Sequence, residues 1–384
     1  MQAKLSFKNN LSILMICMVT SNMVVGFPPQ LGQDIWIAIL ISLVFFIPLA
    51  LMRGRMINIM PDMNLYDMAT YSLGNVAGKI VSVIFGLYCL FMVSIVTYSF
   101  TEFIHLTALY KTPSTLIILL FLLSSLHLAL KGIKVIGQWS TIAVFVTLIV
   151  LVFVTISSLP RANFDNLLPI GNHSIGQILD GSSRLSGVPF GEVAIAMSFA
   201  HRMQKGKTAY ATQIFSIILA TLYLCILSLR NCAVLSPELL QTTLFQNYKA
   251  VSLIKISDFF ERIEAVVTLV YILTSISYIA LFLCSAAKSA KKVLNLSNSK
   301  GSLIPLAALA LCMSIAPFNN IIDMFDFVHV YDWFSFIPQL AIPLAIWIGG
   351  EIKYRKNRKN NPLSSIESGL QKLEKSASSL QSTT

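Results

Sequence analysis

The sequence predicts an all-α polytopic membrane protein with ten transmembrane helices, of which the first and the sixth are discontinuous. Hydrophobic residues make up 55% of the 384 residues, charged residues make up 12%, and the mean hydropathy is +0.74. So few charges cannot cover the apolar surface of a soluble globule of this length. The apolar runs are near or above the ~18–20 residues that a helix needs to cross ~30 Å of hydrocarbon. They also lack the short alternating segments of a transmembrane barrel.

Nine of the expected spans are uncharged apolar runs, and the remaining one is interrupted in its middle. The interrupted run is the sixth and covers residues 175–200. The uncharged runs are residues 9–33, 35–52, 80–101, 112–130, 135–160, 208–229, 265–287, 301–322 and 333–350. The lipid bilayer is therefore the first expected partner of the chain.

The sixth span is broken by Gly187, Pro189 and Gly191, and an ionisable side chain, Glu192, follows at once. Proline removes a backbone N–H group, and a bilayer tolerates irregular backbone only where protein or a water-filled cavity satisfies it. The break therefore predicts a cavity at mid-membrane depth. A charged side chain near the bilayer centre costs roughly 2.5–3.5 kcal/mol on insertion scales, so we interpret Glu192 as a ligand-binding or proton-binding group. Bracing of the broken helix is the alternative.

The first span is expected to be discontinuous as well. Transporters built from two inverted halves interrupt corresponding helices at the membrane midplane. Near the middle of this span lie Thr20, Ser21 and Asn22, whose side chains can compete with backbone hydrogen bonds, and Gly26 follows one turn later. Hydrogen bonding of these side chains to a neighbouring helix is the alternative.

Basic residues predict the orientation of the spans, because loops rich in Lys and Arg stay in the cytoplasm. When ten spans are threaded from an inside start, most of the 28 Lys and Arg residues fall on the side of the N-terminus. Both termini are therefore expected to be cytoplasmic. The stretch after the ninth span carries Asp323, Asp326 and Asp332 without Lys or Arg, which fits an outside loop. The net charge of +11 follows mostly from this bias, and no basic stripe with interleaved aromatic residues predicts nucleic-acid binding.

The sequence predicts no catalytic, metal or cofactor site, so the protein is not expected to be an enzyme. The six cysteines lie inside apolar runs, where they are typical packing residues. There is no pair of histidines four residues apart on a helix to bind zinc. Ser285 and Lys288 match a Ser-x-x-Lys pattern, but the partner motifs of acylating enzymes are missing.

Five short segments carry a resemblance to a known family. They are residues 32–38 at the start of the second span, 167–169 in an outside loop, 189–192 in the sixth span, 233–238, and 258–264 before the eighth span. Together and in this order they resemble the endospore germination permease family, the B subunits of nutrient germinant receptors. That family is a branch of the amino acid–polyamine–organocation transporters. The likeness covers about residues 8–350.

This resemblance implies a LeuT-like five-plus-five inverted repeat, with inverted halves at about residues 8–160 and 174–350. It also implies an inner spore membrane location, assembly with an A-type membrane subunit and a C-type lipoprotein, and the sensing of amino acids or similar nutrients. The chain departs from the family's usual glycine-bearing break in the first helix, since it has Thr20, Ser21 and Asn22 there. The transmembrane domain is expected to occupy residues 1–350. Residues 351–384 are rich in Ser, Lys and Gln, and are expected to form a basic, disordered cytoplasmic tail.

In the implied fold the substrate lies between the first, third, sixth and eighth helices, so polar residues at mid-depth in those helices are the candidates. A half-helix N-terminus near Asn22 is expected to suit a substrate carboxylate, because its free N–H groups carry partial positive charge. The candidate ligand-binding residues are Thr20, Ser21, Asn22, Gly26, Ser94, Thr97, Tyr98, Gly187, Pro189, Phe190, Gly191, Glu192, Tyr271, Thr274, Ser275 and Tyr278.

Two functions follow from this resemblance. The favoured one is a B-type receptor subunit that binds a nutrient in a transporter-like cavity and triggers germination. The alternative is an ion-coupled or proton-coupled amino acid transporter. The fifth span contains no charge over residues 135–159, so it lacks the lysine that replaces sodium in proton-coupled relatives. Thr274 and Ser275, with first-helix carbonyls, remain possible sodium ligands, and transport stays open.

Overall fold

The computed structural model describes residues 4–254, 263–315 and 318–360 of the chain, and these residues are mostly helical. Short 3-10 or π segments join several of the helices. The α-helices are α1 (Phe7–Val25), α2 (Ile35–Ile59), α3 (Leu65–Leu73), α4 (Asn75–Thr107), α5 (Ser114–Lys131), α6 (Ile133–Ser158), α7 (Ile175–Leu185), α8 (Lys207–Leu235), α9 (Pro237–Thr242), α10 (Gln246–Ser252), α11 (Ile263–Val293), α12 (Leu303–Ile315), α13 (Ile321–Phe336) and α14 (Ile342–Asn360).

Seven helical stretches of the described residues are long and apolar enough to cross a membrane, and α12 belongs to a shorter apolar helix. The expected number of ten spans stays a prediction. Large apolar side chains such as Val44, Phe45 and Phe145 are exposed on the outer helices, where a bilayer would cover them. Helix α1, by contrast, is buried at nearly every residue of its second half. It packs against α6, α8, the broken segment at residues 186–190 and the second half of the sixth helix, so the centre of the bundle is built around it.

The break in the first helix lies later than the sequence predicts. The expectation of a break at Thr20–Asn22 is wrong, because α1 stays α-helical through these residues and ends at Val25. Their side chains do not displace the helical hydrogen bonds. Ser21 bonds to another helix, and Asn22 Nδ2 donates to the carbonyl of Gly26 at 2.6 Å. Gly26 then leaves the helix with φ +75°, a conformation that glycine adopts without steric cost.

The sixth helix is interrupted where the sequence predicts. Its first half, α7, begins with a capping box in which Ser174 and Gln177 satisfy each other's backbone N–H groups. The helical geometry is lost at Val188, with φ −130° and ψ 120°, directly before Pro189. A second half with 3-10 geometry then runs from Gly191 to Arg202.

Helix α13 corrects one expectation and α14 corrects another. Asp323 and Asp326 lie in α13 rather than in a loop, because Asn320 caps the helix by accepting hydrogen bonds from the N–H groups of Ile322 and Asp323. A π segment, residues 337–341, joins α13 to α14.

Helix α14 continues to Asn360, beyond the expected end of the transmembrane domain at residue 350. Glu351 holds this extension by a bidentate ion pair with Arg55 of α2, at 3.0 and 3.1 Å. The expected disorder of the tail is wrong for residues 351–360, which are helical, and residues 361–384 lie outside the described residues. The same is true of residues 258–262 in the cluster before the eighth span.

The N-terminal residues and α14 lie at the same end of the bundle. Lys4 Nζ contacts Asp62 at 2.6 Å in the turn after α2, and Lys205 Nζ contacts the same carboxylate at 2.6 Å. Tyr71 of α3 follows Asp62 closely in the chain, and Lys353 Nζ of α14 donates to its carbonyl at 2.5 Å. The two ends of the described chain therefore lie at the same end of the bundle, and the cytoplasmic location of that end stays a prediction.

Candidate ligand-binding site around Glu192

Glu192 is a fully buried carboxylate held by two other helices. The Ser21 hydroxyl of α1 donates a hydrogen bond to Oε2 of Glu192, and the Tyr278 hydroxyl of α11 donates to the same oxygen at 2.9 Å. Oε1 has no hydrogen-bond partner among the described residues. A buried polar oxygen without a partner costs about 1–3 kcal/mol, and more if it is charged, so this oxygen is suited to bind a donor that enters the site.

The broken backbone places the Glu192 carboxylate. It lies in the first turn of the second half of the sixth helix, where the partial positive charge of the helix end favours a negative group. Phe190, just before it, is fully buried and stacks on Phe46 of α2, with ring centroids 5.4 Å apart. The stacked rings of Phe190 and Phe46, together with the hydroxyl donors Ser21 and Tyr278, hold the Glu192 carboxylate in place.

A second polar cluster lies beside the break. Gln339, in the π segment between α13 and α14, donates through Nε2 to the hydroxyls of Tyr88 and Tyr331 at 3.0 and 2.9 Å. The amide can approach because residue 191 is glycine: a Cβ there would lie 1.9 Å from Gln339 Oε1. Buried hydrogen bonds thus join α4, α13 and the π segment beside the break.

Glu192 and Ser21 line a small cavity of about 40 Å³ with otherwise mostly apolar walls. A volume of this size holds a few water molecules at most, since each water needs about 10–15 Å³ on this measure. One wall is the face of α4 that carries Met92, Ile95, Val96, Ser99 and Phe100. The site therefore combines one ionisable group with an apolar enclosure.

A larger cavity of about 150 Å³ lies next to this one. The two cavities share Val25, Val188 and Val328, so these three side chains form the boundary between them. The larger cavity is also lined by Arg184 and Asp326, two residues of opposite charge. It forms a vestibule on the side of Gly26, and the lining residues that it shares with the cavity at Glu192 are all apolar.

The structure brings together part of the candidate set. Ser21, Glu192 and Tyr278 form one hydrogen-bonded group, and Gly187, Pro189, Phe190 and Gly191 make the break beside it. Gly26 lines the vestibule. Thr20 is fully buried next to Ser21, and its hydroxyl has no partner among the described residues.

The candidates on α4 do not line the cavity. The Ser94 hydroxyl donates to Leu90 O of its own helix at 3.1 Å and approaches a carbonyl of α12 at 3.5 Å. The Thr97 hydroxyl donates to the carbonyl four residues earlier at 2.6 Å. Tyr98 packs in a separate cluster with Ile321 and Met324. Sequence reasoning chose hydroxyl-bearing residues, whereas the cavity wall of α4 is mainly apolar.

Three candidates on α11 are also engaged elsewhere. Thr274 donates to Val270 O at 3.0 Å, and Ser275 donates to Ile272 O at 3.0 Å, so both hydroxyls bond to their own helix. The Tyr271 ring packs against Phe103 with centroids 5.1 Å apart. Only Tyr278 of this helix donates to Glu192 among the residues described.

The backbone near Asn22 has the opposite polarity to the one expected. No helix begins there; these residues form the C-terminal turn of α1, whose carbonyls carry partial negative charge. Asn247 Nδ2 donates to both Asn22 O and Met23 O at 3.0 Å. Gln246 accepts from Phe27 N at 3.1 Å. Sequence reasoning missed this cap, because nothing local connects residues so far apart in the chain.

Three of the segments that carry the family resemblance meet at this same end of the bundle. Gln33 Nε2 donates to the carbonyl of Pro169 at 3.3 Å, and a Cβ on Gly32 would lie 3.3 Å from Pro237 Cβ. Gly32 has φ +45°, so glycine suits both the backbone and the close approach. Asp34 is fully buried and accepts hydrogen bonds from residues that follow Pro169. These segments therefore hold the loops together and do not touch Glu192.

Ser285 and Lys288 of α11 join this helix to the second half of the broken helix. The Ser285 hydroxyl lies 2.6 Å from the Ser198 hydroxyl and 2.7 Å from the Tyr66 hydroxyl. Lys288 Nζ donates to Ser198 O at 2.9 Å and lies 4.2 Å from the centre of the Phe199 ring. Their contacts explain both residues as packing partners of the second half of the broken helix.

The chain is similar in sequence to proteins of spore germination. The model of a family described as "Spore germination protein" matches residues 4–321. Over 317 residues the chain is 22% identical to spore germination protein YfkT of Bacillus subtilis (strain 168), with 82% of this chain and 87% of that protein covered. Over 366 residues it is 20% identical to spore germination protein KB of the same organism, with 94% and 98% covered.

Among solved structures, the fold is similar to that of MhsT in complex with L-phenylalanine. The TM-score is 0.62 at 12% sequence identity, and the match covers 91% of this chain and 99% of that chain. At this identity the likeness concerns the fold alone. It confirms the all-helical, LeuT-like transporter fold that the sequence predicts.

Proposed function

The chain belongs to the spore germination protein family, and from this premise we propose that it is the B-type subunit of a nutrient germinant receptor. In this role it binds an amino acid or a similar small nutrient at Glu192 and triggers germination through a conformational change. The observation that carries the proposal is the unpartnered Oε1 of a fully buried carboxylate that lines a cavity.

The chemistry of the site favours an ammonium group attached to a small apolar body. Glu192 Oε1 can accept a charge-assisted hydrogen bond from a primary ammonium group, and this bond is strong in an enclosed site. The walls around it, such as Met92, Val96 and Phe327, are apolar and suit an aliphatic side chain. Small aliphatic amino acids combine these two properties. MhsT, which shares the fold, binds L-phenylalanine, which supports an amino acid as the ligand class.

Nutrient binding requires the cavity to open. Its volume of about 40 Å³ is too small for an amino acid, and the vestibule of about 150 Å³ beside it is separated only by Val25, Val188 and Val328. Val188 lies in the broken segment itself, so a small rotation of the backbone there would join the two cavities. The same rotation would move Glu192 and the second half of the sixth helix, and this is the movement that we assign to signalling.

The remaining elements of the proposal follow the family resemblance. The chain would lie in the inner spore membrane with both termini in the cytoplasm, and it would assemble with an A-type membrane subunit and a C-type lipoprotein. Lys4, Asp62 and Lys205 would then close the cytoplasmic end. An amino acid transporter is the second candidate, because the fold is that of a transporter and the vestibule leads towards the carboxylate.

Purified full-length chain in proteoliposomes tests the proposal. Tritiated L-alanine, L-valine and L-leucine serve as probes, each assayed for equilibrium binding and for flux under sodium and proton gradients. We expect saturable binding of at least one probe, no flux above that of protein-free liposomes, and about tenfold or greater weakening by Glu192→Gln. The matched control is Glu102→Gln, a carboxylate of α4 outside the cavity lining, which should bind as the wild type does.

Each result separates the candidate functions. Saturable flux would support the transporter and contradict the sensor. Failure of a folded wild-type chain to bind any probe would contradict the assignment of nutrient recognition to Glu192. In cells, deletion should block nutrient-triggered germination without reducing bulk amino acid uptake, and the chain should lose abundance when its A-type partner is missing.

A further inference from the structure

We propose that the chain binds a monovalent inorganic anion of the size of chloride at Arg230. The site lies in a small cavity between α6, α8 and α11, and it shares no lining residue with the cavity at Glu192. Three observations carry this proposal: the burial of the arginine, the neutral character of its partners, and the cavity beside it.

Arg230 is a buried cation whose hydrogen-bond partners among the described residues are all neutral. Its residue is only 7% exposed, inside the long helix α8. Its guanidinium donates to Asn231 Oδ1 at 2.5 and 3.2 Å and to Asn247 O at 3.4 Å, and all of these acceptors are neutral. Among the described residues no carboxylate forms an ion pair with it. A buried charge without compensation is strongly destabilising, so an anion next to this guanidinium would stabilise the fold.

A cavity of about 30 Å³ lies at the Arg230 side chain. Tyr223 and Tyr271 line it, both almost fully buried, and their phenolic hydroxyls can donate hydrogen bonds to an anion. Most of the remaining wall is aliphatic. The volume has room for about two water-sized groups, which fits a single monoatomic anion. It excludes an amino acid, so the expected occupant differs from the nutrient.

The anion site is connected to the end of the first helix by hydrogen bonds. Arg230 donates to Asn231, Asn231 Nδ2 donates to Asn247 Oδ1 at 2.6 Å, and Asn247 Nδ2 donates to Asn22 O and Met23 O. Asn22 is the neighbour of the serine that donates to Glu192. Neutralising the guanidinium would therefore hold the α9–α10 segment against α1, and would stabilise the helix end that carries one wall of the nutrient cavity.

Binding of radiolabelled chloride to purified full-length chain in lipid nanodiscs tests this proposal directly. We expect saturable binding of one ion per chain, competition by bromide and nitrate, and no competition by gluconate, which is too large for the cavity. Arg230→Gln should abolish the binding or weaken it about tenfold or more, since it removes the charge. Tyr223→Phe removes only a hydroxyl and should weaken binding by a smaller factor.

Arg161→Gln is the matched control, because Arg161 is an exposed arginine outside the cavity and its loss changes the net charge equally. It should leave chloride binding unchanged. A second measurement uses the apparent Tm at constant ionic strength. Replacing gluconate by chloride should raise it in the wild type and in Arg161→Gln, but not in Arg230→Gln.

Two results would overturn the proposal. One is a folded wild-type chain that binds no chloride and shows no anion dependence of its apparent Tm, which would mean that the guanidinium is compensated by another group of the chain. The other is undiminished chloride binding in Arg230→Gln, which would place the anion elsewhere. If Arg230→Gln does not fold, the smaller effect of Tyr223→Phe decides, and unchanged binding in that variant contradicts the assigned cavity.

Discussion

Replacing Gly191 by alanine should disrupt the polar cluster beside the break. A Cβ at this position would lie 1.9 Å from Gln339 Oε1 and 2.6 Å from Ser186 O. Neither distance is compatible with van der Waals contact. The amide of Gln339 must therefore move, and it cannot then keep its hydrogen bonds to the hydroxyls of Tyr88 and Tyr331.

The size of the effect follows from these contacts. Loss of two hydrogen bonds costs about 1 kcal/mol each. Overpacking of a buried site adds about 1–3 kcal/mol, because the carbonyl of Ser186 belongs to the backbone and cannot rotate away. The higher helix propensity of alanine recovers at most ~1 kcal/mol. We therefore expect Gly191→Ala to lower the free energy of unfolding by about 2–4 kcal/mol.

The assay is the apparent Tm of the purified chain in detergent, followed by loss of the monodisperse peak after heating. Gly176→Ala is the control, since Gly176 lies in the first half of the same broken helix and its Cβ would meet no atom closer than 4.0 Å. This control should be neutral or slightly stabilising. Adding Gln339→Ala to Gly191→Ala should restore part of the stability. If Gly191→Ala is as stable as Gly176→Ala, the described approach of Gln339 to the break is wrong.

Two further predictions concern helix α4 and the end of the bundle where the termini meet. Ser94→Ala should leave nutrient affinity unchanged, because the Ser94 hydroxyl faces α12. Val96→Phe should fill the cavity at Glu192 and weaken nutrient binding about tenfold or more. Equal effects of the two variants in the binding assay would contradict the assignment of Val96, and not Ser94, to the cavity wall. Hydrogen bonds from Lys205 and Lys4 lower the pKa of Asp62 from its ordinary value of 3.8 to about 2. The Asp62 carboxylate should therefore contribute stability above its ordinary pKa and lose this contribution as the pH falls to about 2. Asp62→Asn should have a lower apparent Tm than the wild type near neutral pH, and the difference should vanish over that acid range; a difference that persists at pH 2 would contradict the ion pairs.

Local chemistry made the broken sixth helix predictable. Pro189 removes a backbone donor and the flanking glycines offer no side-chain cover, so the interruption follows from residues next to each other in the chain. The burial of Glu192 was predictable for a similar reason, since an ionisable group inside an apolar span must find a polar site. The first helix was harder to predict. Its end depends on Gln246 and Asn247, which are more than 200 residues away from the groups that they bond.

The choice of cavity residues on α4 could not be predicted from composition. In a soluble helix, polar residues mark the outward face, but in a bilayer both the lipid side and the packed side are apolar. Hydroxyl groups such as those of Ser94 and Thr97 can satisfy themselves on their own helix, so they do not mark a cavity. The apolar residues Met92 and Val96, which do line it, give no local signal.

The sequence alone determined that this protein is a helical membrane protein with a broken sixth helix, a buried carboxylate and a family resemblance to germination permeases. These features depend on hydrophobicity, backbone chemistry and neighbouring residues. Only the tertiary structure decided that one oxygen of Glu192 is bonded by Ser21 and Tyr278 while the other lacks a described partner, and that the described partners of Arg230 are neutral. Those properties arise from the relative rotation and depth of packed helices, and lipid-embedded sequences carry little periodic signal for either.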